Sequence, residues 1–122
     1  MTMTVTFQQN EDILIATVAG QFTTEDDERT DRQIAAKCNE LSLRKLLIDF
    51  RLVDGTPTVH QSYEAGSQLE ERGFRREIAV AILDREEFRE QNEFYELVAQ
   101  NRGFQVRHFY TREDALAWLR AG

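Results

Sequence analysis

KLLIDF, residues 45–50, is the run that decides the fold. Leu46, Leu47, Ile48 and Phe50 leave no polar alternation, so the run reads as a strand buried on both faces, as in a parallel sheet. EIAVAILD, residues 77–84, reads the same way. Parallel neighbours need a crossover between them, usually a helix. The interval supplies one. RLVDGTPT, 51–58, reads as a connecting loop with an Asp54-Gly55 turn and the sole proline, Pro57. Thr58 is placed to cap a helix over Val59–Arg72, with Gly73 as its stop. Val59, Tyr63, Gly66 and Leu69 would share its core face, and Gly66 would let a neighbouring backbone come close.

Toward the N-terminus, TTEDDERTDRQIAAKCNELS predicts a helix over 24–41, capped by Thr23 or Thr24. Glu25, Asp26, Asp27 and Glu28 fall in its first turn, where the helix dipole favours negative charge. Thr30, Ile34, Cys38 and Leu41 form its apolar stripe. Before it, MTVTFQQNEDILIATVAG reads as a hairpin ended by Gly20.

Toward the C-terminus, a helix is expected over 85–102, closed by Gly103, with Phe88, Tyr95 and Val98 inward, Phe94 at the edge and Leu97 outside the core arc. FQVRHFY then alternates strictly, as an edge strand would: Phe104, Val106, His108 and Tyr110 on one side, Gln105, Arg107 and Phe109 on the other. Thr111 caps a last helix to residue 120, with Asp114 three residues on. Ala115, Leu116, Trp118 and Leu119 occupy one arc of about 160°, taking roughly 100° per residue. So short a helix is marginal alone, and Trp118 anchors it. The order β-β-α-β-α-β-α-β-α implies an α/β fold, with one mixed, mostly parallel sheet of four to five strands and four helices.

The chain has 122 residues, enough for one domain over 1–122 without a disulfide or metal staple. Cys38 is the only cysteine, so no intrachain disulfide forms. A net charge of -7 argues against nucleic acid and anionic membrane surfaces as partners. No signal segment or membrane span is expected, and a cytoplasmic location follows as the default.

The chain shows no phosphate-binding glycine motif and no nucleophile elbow. Asp49 and Asp84 end two parallel strands, where open α/β sheets bind ligands; the plainer reading is hydrogen bonding to loop amides or pairing with Arg51 and Arg85. His60 and Glu64 share a helix face, whereas His60 and Ser62 point apart. With two histidines and one cysteine, a zinc site is not expected. No catalytic set, metal or cofactor is assigned. Ala16, Ala79 and Ala81 make room on the sheet for close helix packing, or for a slot holding an apolar ligand.

The element order, the hairpin VTFQQNEDILIATVAGQFTTED, the strands KLLIDF and IAVAILD, and the closing ALAWL at 115–119 resemble the SpoIIAA-like family, small bacterial domains related to STAS domains. The resemblance implies a SpoIIAA-like, STAS-like domain: a non-enzymatic regulatory or protein-interaction module. It leaves as alternative a small apolar-ligand carrier with a pocket between the sheet and the second and third helices, as in the CRAL-TRIO group. An unidentified protein partner or small apolar ligand is implied, with homodimer formation open. Antagonist relatives carry a phosphorylatable serine after the strand matching KLLIDF. Here VDGTPTVHQS, 53–62, has no serine beside Asp54, so phosphorylation is not expected to be the switch. The same place, at the C-terminal end of a central strand and in the longest predicted loop, gives the candidate contact residues: Arg51, Asp54, Thr56, Thr58, His60 and Tyr63. An anionic head at the helix N-terminus beside Arg51, with an apolar tail near Tyr63, is the ligand this reading favours.

Overall fold

The structure, a computed structural model, describes residues 2–122. The hairpin is present as β1 (Thr4–Asn10) and β2 (Ile13–Gln21). Next come α1 (Thr24–Glu40), β3 (Lys45–Asp54), α2 (Val59–Ser67) and β4 (Ala79–Leu83). A 3-10 turn (Glu86–Phe88) leads into α3 (Arg89–Asn101), followed by β5 (Gln105–Phe109) and α4 (Arg112–Ala121). The sheet has five strands in the order β1-β2-β3-β4-β5. Only β1 is antiparallel to its neighbour.

Strand order matches chain order, so crossovers of one hand all land on one face of the sheet. Side chains of α1 (Ile34, Ala35, Cys38) and α3 (Ala99) pack there with Leu14, Ala16, Ile48, Val80, Ile82 and Val106, and Leu69 just beyond α2 joins them. The other face carries α4 alone: Ala115 and Leu119 meet Ile13, Ile15, Leu47 and Ala81, with Trp118 and Phe109 at the margin. The small strand residues therefore serve close helix packing. Ala16 lies under the α1–α3 layer, and Ala79 and Ala81 lie under α4.

Three helix ends differ from the sequence reading. α1 stops at Glu40, and Leu41 becomes its C-cap, 36% exposed instead of sitting on the stripe. α2 stops at Ser67, not at 72. Ser67 Oγ donates to the Glu64 carbonyl at 2.9 Å, competing with the helix ladder. Gly73 therefore closes a string of turns rather than the helix itself, and 68–78 becomes the longest connection. α3 begins only at Arg89, because neither Arg85 nor Phe88 supplies a side-chain cap.

The face of α2 is also turned from the expected one. Val59 and Tyr63 are exposed, and Ser62, Ala65 and Gly66 are buried. Close approach to α3 selects the small side chains. A Cβ on Gly66 would stand 3.2 Å from the Tyr95 carbonyl oxygen and from Val98.

β3 is longer than KLLIDF. Thr17 pairs with Asp49 and Ala19 with Leu52, so Phe50 and Arg51 together oppose Val18: a bulge with the extra residue on β3. Past it, residues 52–54 go on pairing with the long β2. The bulge turns Phe50 and Val53 to the α1–α3 face and leaves Leu52 exposed. The loop expected over 51–58 shrinks to Gly55–Thr58.

Candidate functional site

Beneath that short loop the sheet and helices line a partly open cavity of about 90 Å³. Its floor is apolar: Ile48, Phe50, Val80, Ile82 and Val106 from the strands. α2 contributes Ser62 and Ala65, and α3 contributes Asn92 and Tyr95. Gly55, Thr56 and Pro57 line its rim. The carboxylates of Asp27 and Asp31 belong to one wall, and Asp84 and His108 to the end formed by β4 and β5.

The Asp27–Asp31 wall has an uneven charge balance. Arg72, 3% exposed, reaches from the α2–β4 connection and puts Nη1 3.0 Å from Asp27 Oδ2 and 2.8 Å from Asp31 Oδ2. One guanidinium thus serves two acids, the buried Asp31 and the partly buried Asp27. Burial first, then the Asp27 charge, pushes the Asp31 carboxyl up to about 7 against the pull of Arg72. Burial raises Asp27 as well. The Tyr95 phenol is held well above its ordinary range by burial and by both carboxylates. Arg72 Nε and Thr30 Oγ1 have no hydrogen-bond partner.

At the other end, Asp84 accepts from the Arg85 N–H at 2.8 Å and from Asn92 Nδ2 at 3.1 Å. Its carboxyl is raised because burial outweighs those bonds. The His108 side chain is buried; its Nδ1 lies 2.9 Å from Glu96 Oε2, and its ring meets Tyr95 edge-on at 5.6 Å. Asp49, in contrast, lies outside the cavity lining and holds Arg51 through Nε at 3.0 Å and Nη2 at 2.9 Å.

Of the six residues singled out in the sequence, only Thr56 lines the cavity. Arg51 is spent on Asp49. Asp54 is exposed, and its carbonyl accepts from Phe22 N–H at 2.9 Å. Thr58 caps α2 in a complete capping box with Gln61. His60 is exposed and pairs with Glu64 at 2.6 Å. Tyr63 points to solvent. The segment thus offers no free cation for an anionic head.

Sequence reasoning missed Asp27, Asp31 and Arg72. A signal existed: Asp27 and Asp31 fall on the same helical stripe as Ile34 and Cys38, so they had to be buried and to find a cation.

Solved structures share this architecture. An anti-sigma factor antagonist from Mycobacterium paratuberculosis superposes with a TM-score of 0.68 at 19% identity, over 98% of this chain and 95% of that one. The fold is SpoIIAA-like. An uncharacterised DUF3478-family protein of SpoIIAA-like fold from Shewanella loihica matches with a TM-score of 0.61 at 21% identity, over 97% of this chain and 93% of that one. No protein-family model matches the sequence, and no curated protein does. Within the SpoIIAA-like fold the cavity sits between the sheet and α2 and α3, at the C-terminal ends of β3, β4 and β5. Among the described residues no helix is long and apolar enough to cross a membrane, and no cluster of ligating side chains could hold a metal ion.

Proposed function

We propose that this chain is a non-enzymatic regulatory module of the STAS-like type that docks a protein partner through residues 51–63, and that phosphorylation does not switch it. The observation that carries this reading is exposed apolar surface. Leu52 (63%), Val59 (59%) and Tyr63 (46%) are three of the five large apolar side chains left exposed among the described residues, and they flank the loop Gly55–Thr58. Val59 and Tyr63 lie one turn apart on the outer side of α2, and exposed apolar side chains so placed mark interaction surfaces. The Mycobacterium paratuberculosis protein is an anti-sigma factor antagonist, so an anti-sigma factor is the partner class taken over here.

Amide shift mapping by NMR tests the reading, with anti-sigma factors from the same genome as titrants. Shifts should cluster on 51–63, and Val59→Asp should weaken binding by about 2 kcal/mol, the scale of a central apolar anchor. Shifts on the opposite edge of the sheet, with 51–63 silent, would sink it.

A small apolar-ligand carrier is the second reading, because a cavity lies between the sheet and α2 and α3. Its volume of about 90 Å³ weighs against an acyl chain, since a cavity near 150 Å³ holds only one benzene. Fatty acids in the same titration decide between the two readings.

A further inference from the structure

We infer that the free edge of β1 is a homodimer interface: β1 pairs antiparallel with β1 of a second copy across a two-fold axis at Phe7, and the two sheets run on into one. The inference does not rest on what docks at residues 51–63.

An open sheet has two edges, here β1 and β5, and each presents main-chain groups with no strand beside them. The β5 edge is closed by α3. Gln100 Nε2 donates to the Val106 carbonyl at 2.9 Å, and the His108 N–H donates to Glu96 Oε2 at 2.6 Å. β5 is also only five residues long and carries Arg107. The β1 edge is closed only at its start. There the Met3 N–H donates to Asp26 Oδ2 at 3.3 Å, and the Met3 carbonyl accepts from Arg29 Nη2 at 2.9 Å. The Thr2 carbonyl, in contrast, faces Gly20 of β2. Main-chain direction alternates along a strand, so odd-numbered residues turn their N–H and C=O outward. After Met3 these are Val5, Phe7 and Gln9. Among the described residues, no side chain bonds to their main chain. The usual guards are missing too. TVTFQQN holds no charge and no proline, and it pairs with β2 without a bulge.

Charge selects a second copy as the occupant. A net charge of -7 sets two copies against each other over most of their surface. Beside β1 the charges cancel: Arg29 is held by Asp26, and Lys37 by Glu40 at 3.4 Å. An uncharged strand can also lie against itself, whereas like charges directly opposite repel. With the axis at Phe7, Phe7 faces its own copy and Val5 faces Gln9, so every outward group of the three residues finds a partner. An axis at Thr6 would leave Gln9 out. The half-buried Val5 and Phe7 line an open groove with Gln33, Ala36 and Lys37 of α1. The two-fold lays the second α1 antiparallel across that groove and covers both side chains. The contact closes on itself, because the capped β5 edges add no further copy.

The test is the oligomeric state of the full chain. In sedimentation equilibrium from about 10 μM to about 1 mM, the mass should rise from 14.2 kDa toward twice that value. Over the same range the amides of Val5, Phe7 and Gln9 should exchange more slowly, and those of Thr4, Thr6 and Gln8 should not change. A mixed-labelled sample should show an Hα–Hα contact between Thr6 and Gln8 of the other copy. Gln9→Pro deletes an outward N–H and spares the ladder to β2. It should weaken dimerisation about tenfold or more, since the two-fold removes that bond twice, with far-UV circular dichroism unchanged. Val59→Asp should leave the dimer intact. A monomer at every concentration would overturn the proposal, and so would a dimer whose Val5, Phe7 and Gln9 amides exchange as in the monomer. Protection of those amides only when another protein is added would give the edge to a foreign strand and overturn it equally. These three outcomes need no variant.

Discussion

Arg72 bonds the buried Asp31 and the partly buried Asp27 through one nitrogen, so removing it leaves both without that partner. Arg72→Met should cost about 3–5 kcal/mol, the range for breaking a buried ion pair from one side, read as a shift of the urea midpoint at pH 8. The same cluster sets a pH dependence. In the unfolded chain an aspartate loses its proton near pH 4, but folded Asp31 keeps it to about 7, and Asp27 is raised too. Between those limits the folded state binds more protons than the unfolded one, so stability falls as the pH rises. Asp26 is held low by the Arg29 guanidinium, so its contribution runs the other way and only in acid. Wild-type Tm should therefore be higher at pH 5 than at pH 8, and Asp31→Asn should flatten that slope. A slope of opposite sign in the wild type would show that the pair is solvated.

Residue-level chemistry on the segment 51–63 was legible for its caps and its local pairings, Arg51 with Asp49 and His60 with Glu64, and illegible for which side of α2 faces water. Thr58 follows a proline and precedes an apolar residue, and it caps α2 as read. Thr58→Ala should lower stability by about 1 kcal/mol in urea unfolding. With the Thr58 hydroxyl occupied and Ser62 buried, mass spectrometry of protein from its native host should find no substantial phosphate on Thr56, Thr58 or Ser62. Arg51 reads in the sequence as a partner for Asp49, two residues before it, and the structure makes that pair.

Among the elements, α2 shows how packing overrides apolar periodicity. Its large side chains face water because the helix is drawn against α3 at Gly66. Gly66→Ala gains about 1 kcal/mol of helix propensity, yet its Cβ would press on the Tyr95 carbonyl and Val98. The net effect should be a loss of about 1–3 kcal/mol, with α2 amides exchanging faster in hydrogen-exchange measurements. A stabilised variant would mean that the two helices can part freely. The strands were legible because two apolar runs without alternation admit few alternatives to a parallel sheet. The bulge at Phe50–Arg51 was not, because it depends on where β2 ends rather than on the β3 sequence. Gly20 belongs to the same class: it reads as a strand stop, yet β2 continues through it at φ +123, where a glycine is required because any Cβ would strike the Thr2 carbonyl.

Across the whole molecule, the sequential strand order gives the two sheet faces unequal cover: three crossover helices on one, α4 alone on the other. Leu119 and Ala115 are the buried anchors of α4, and Trp118 packs at the margin beside Phe109, at 5.7 Å between ring centroids. Being half-buried, it should cost about 2 kcal/mol as Trp118→Ala, below the range for a fully buried aromatic, and the loss should appear in tryptophan-independent far-UV unfolding. The arrangement also has a consequence for synthesis. Each crossover helix is made between the two strands it connects, but the helix that shelters Ile13, Ile15 and Leu47 is made after all five strands. At about 5–20 residues per second, that face of the nascent sheet waits on the order of 5–20 s from the translation of Ile13 to that of Leu119. During that interval Ile13, Ile15 and Leu47 have no helix to cover them, and a chaperone that holds exposed apolar strands would find its foothold there.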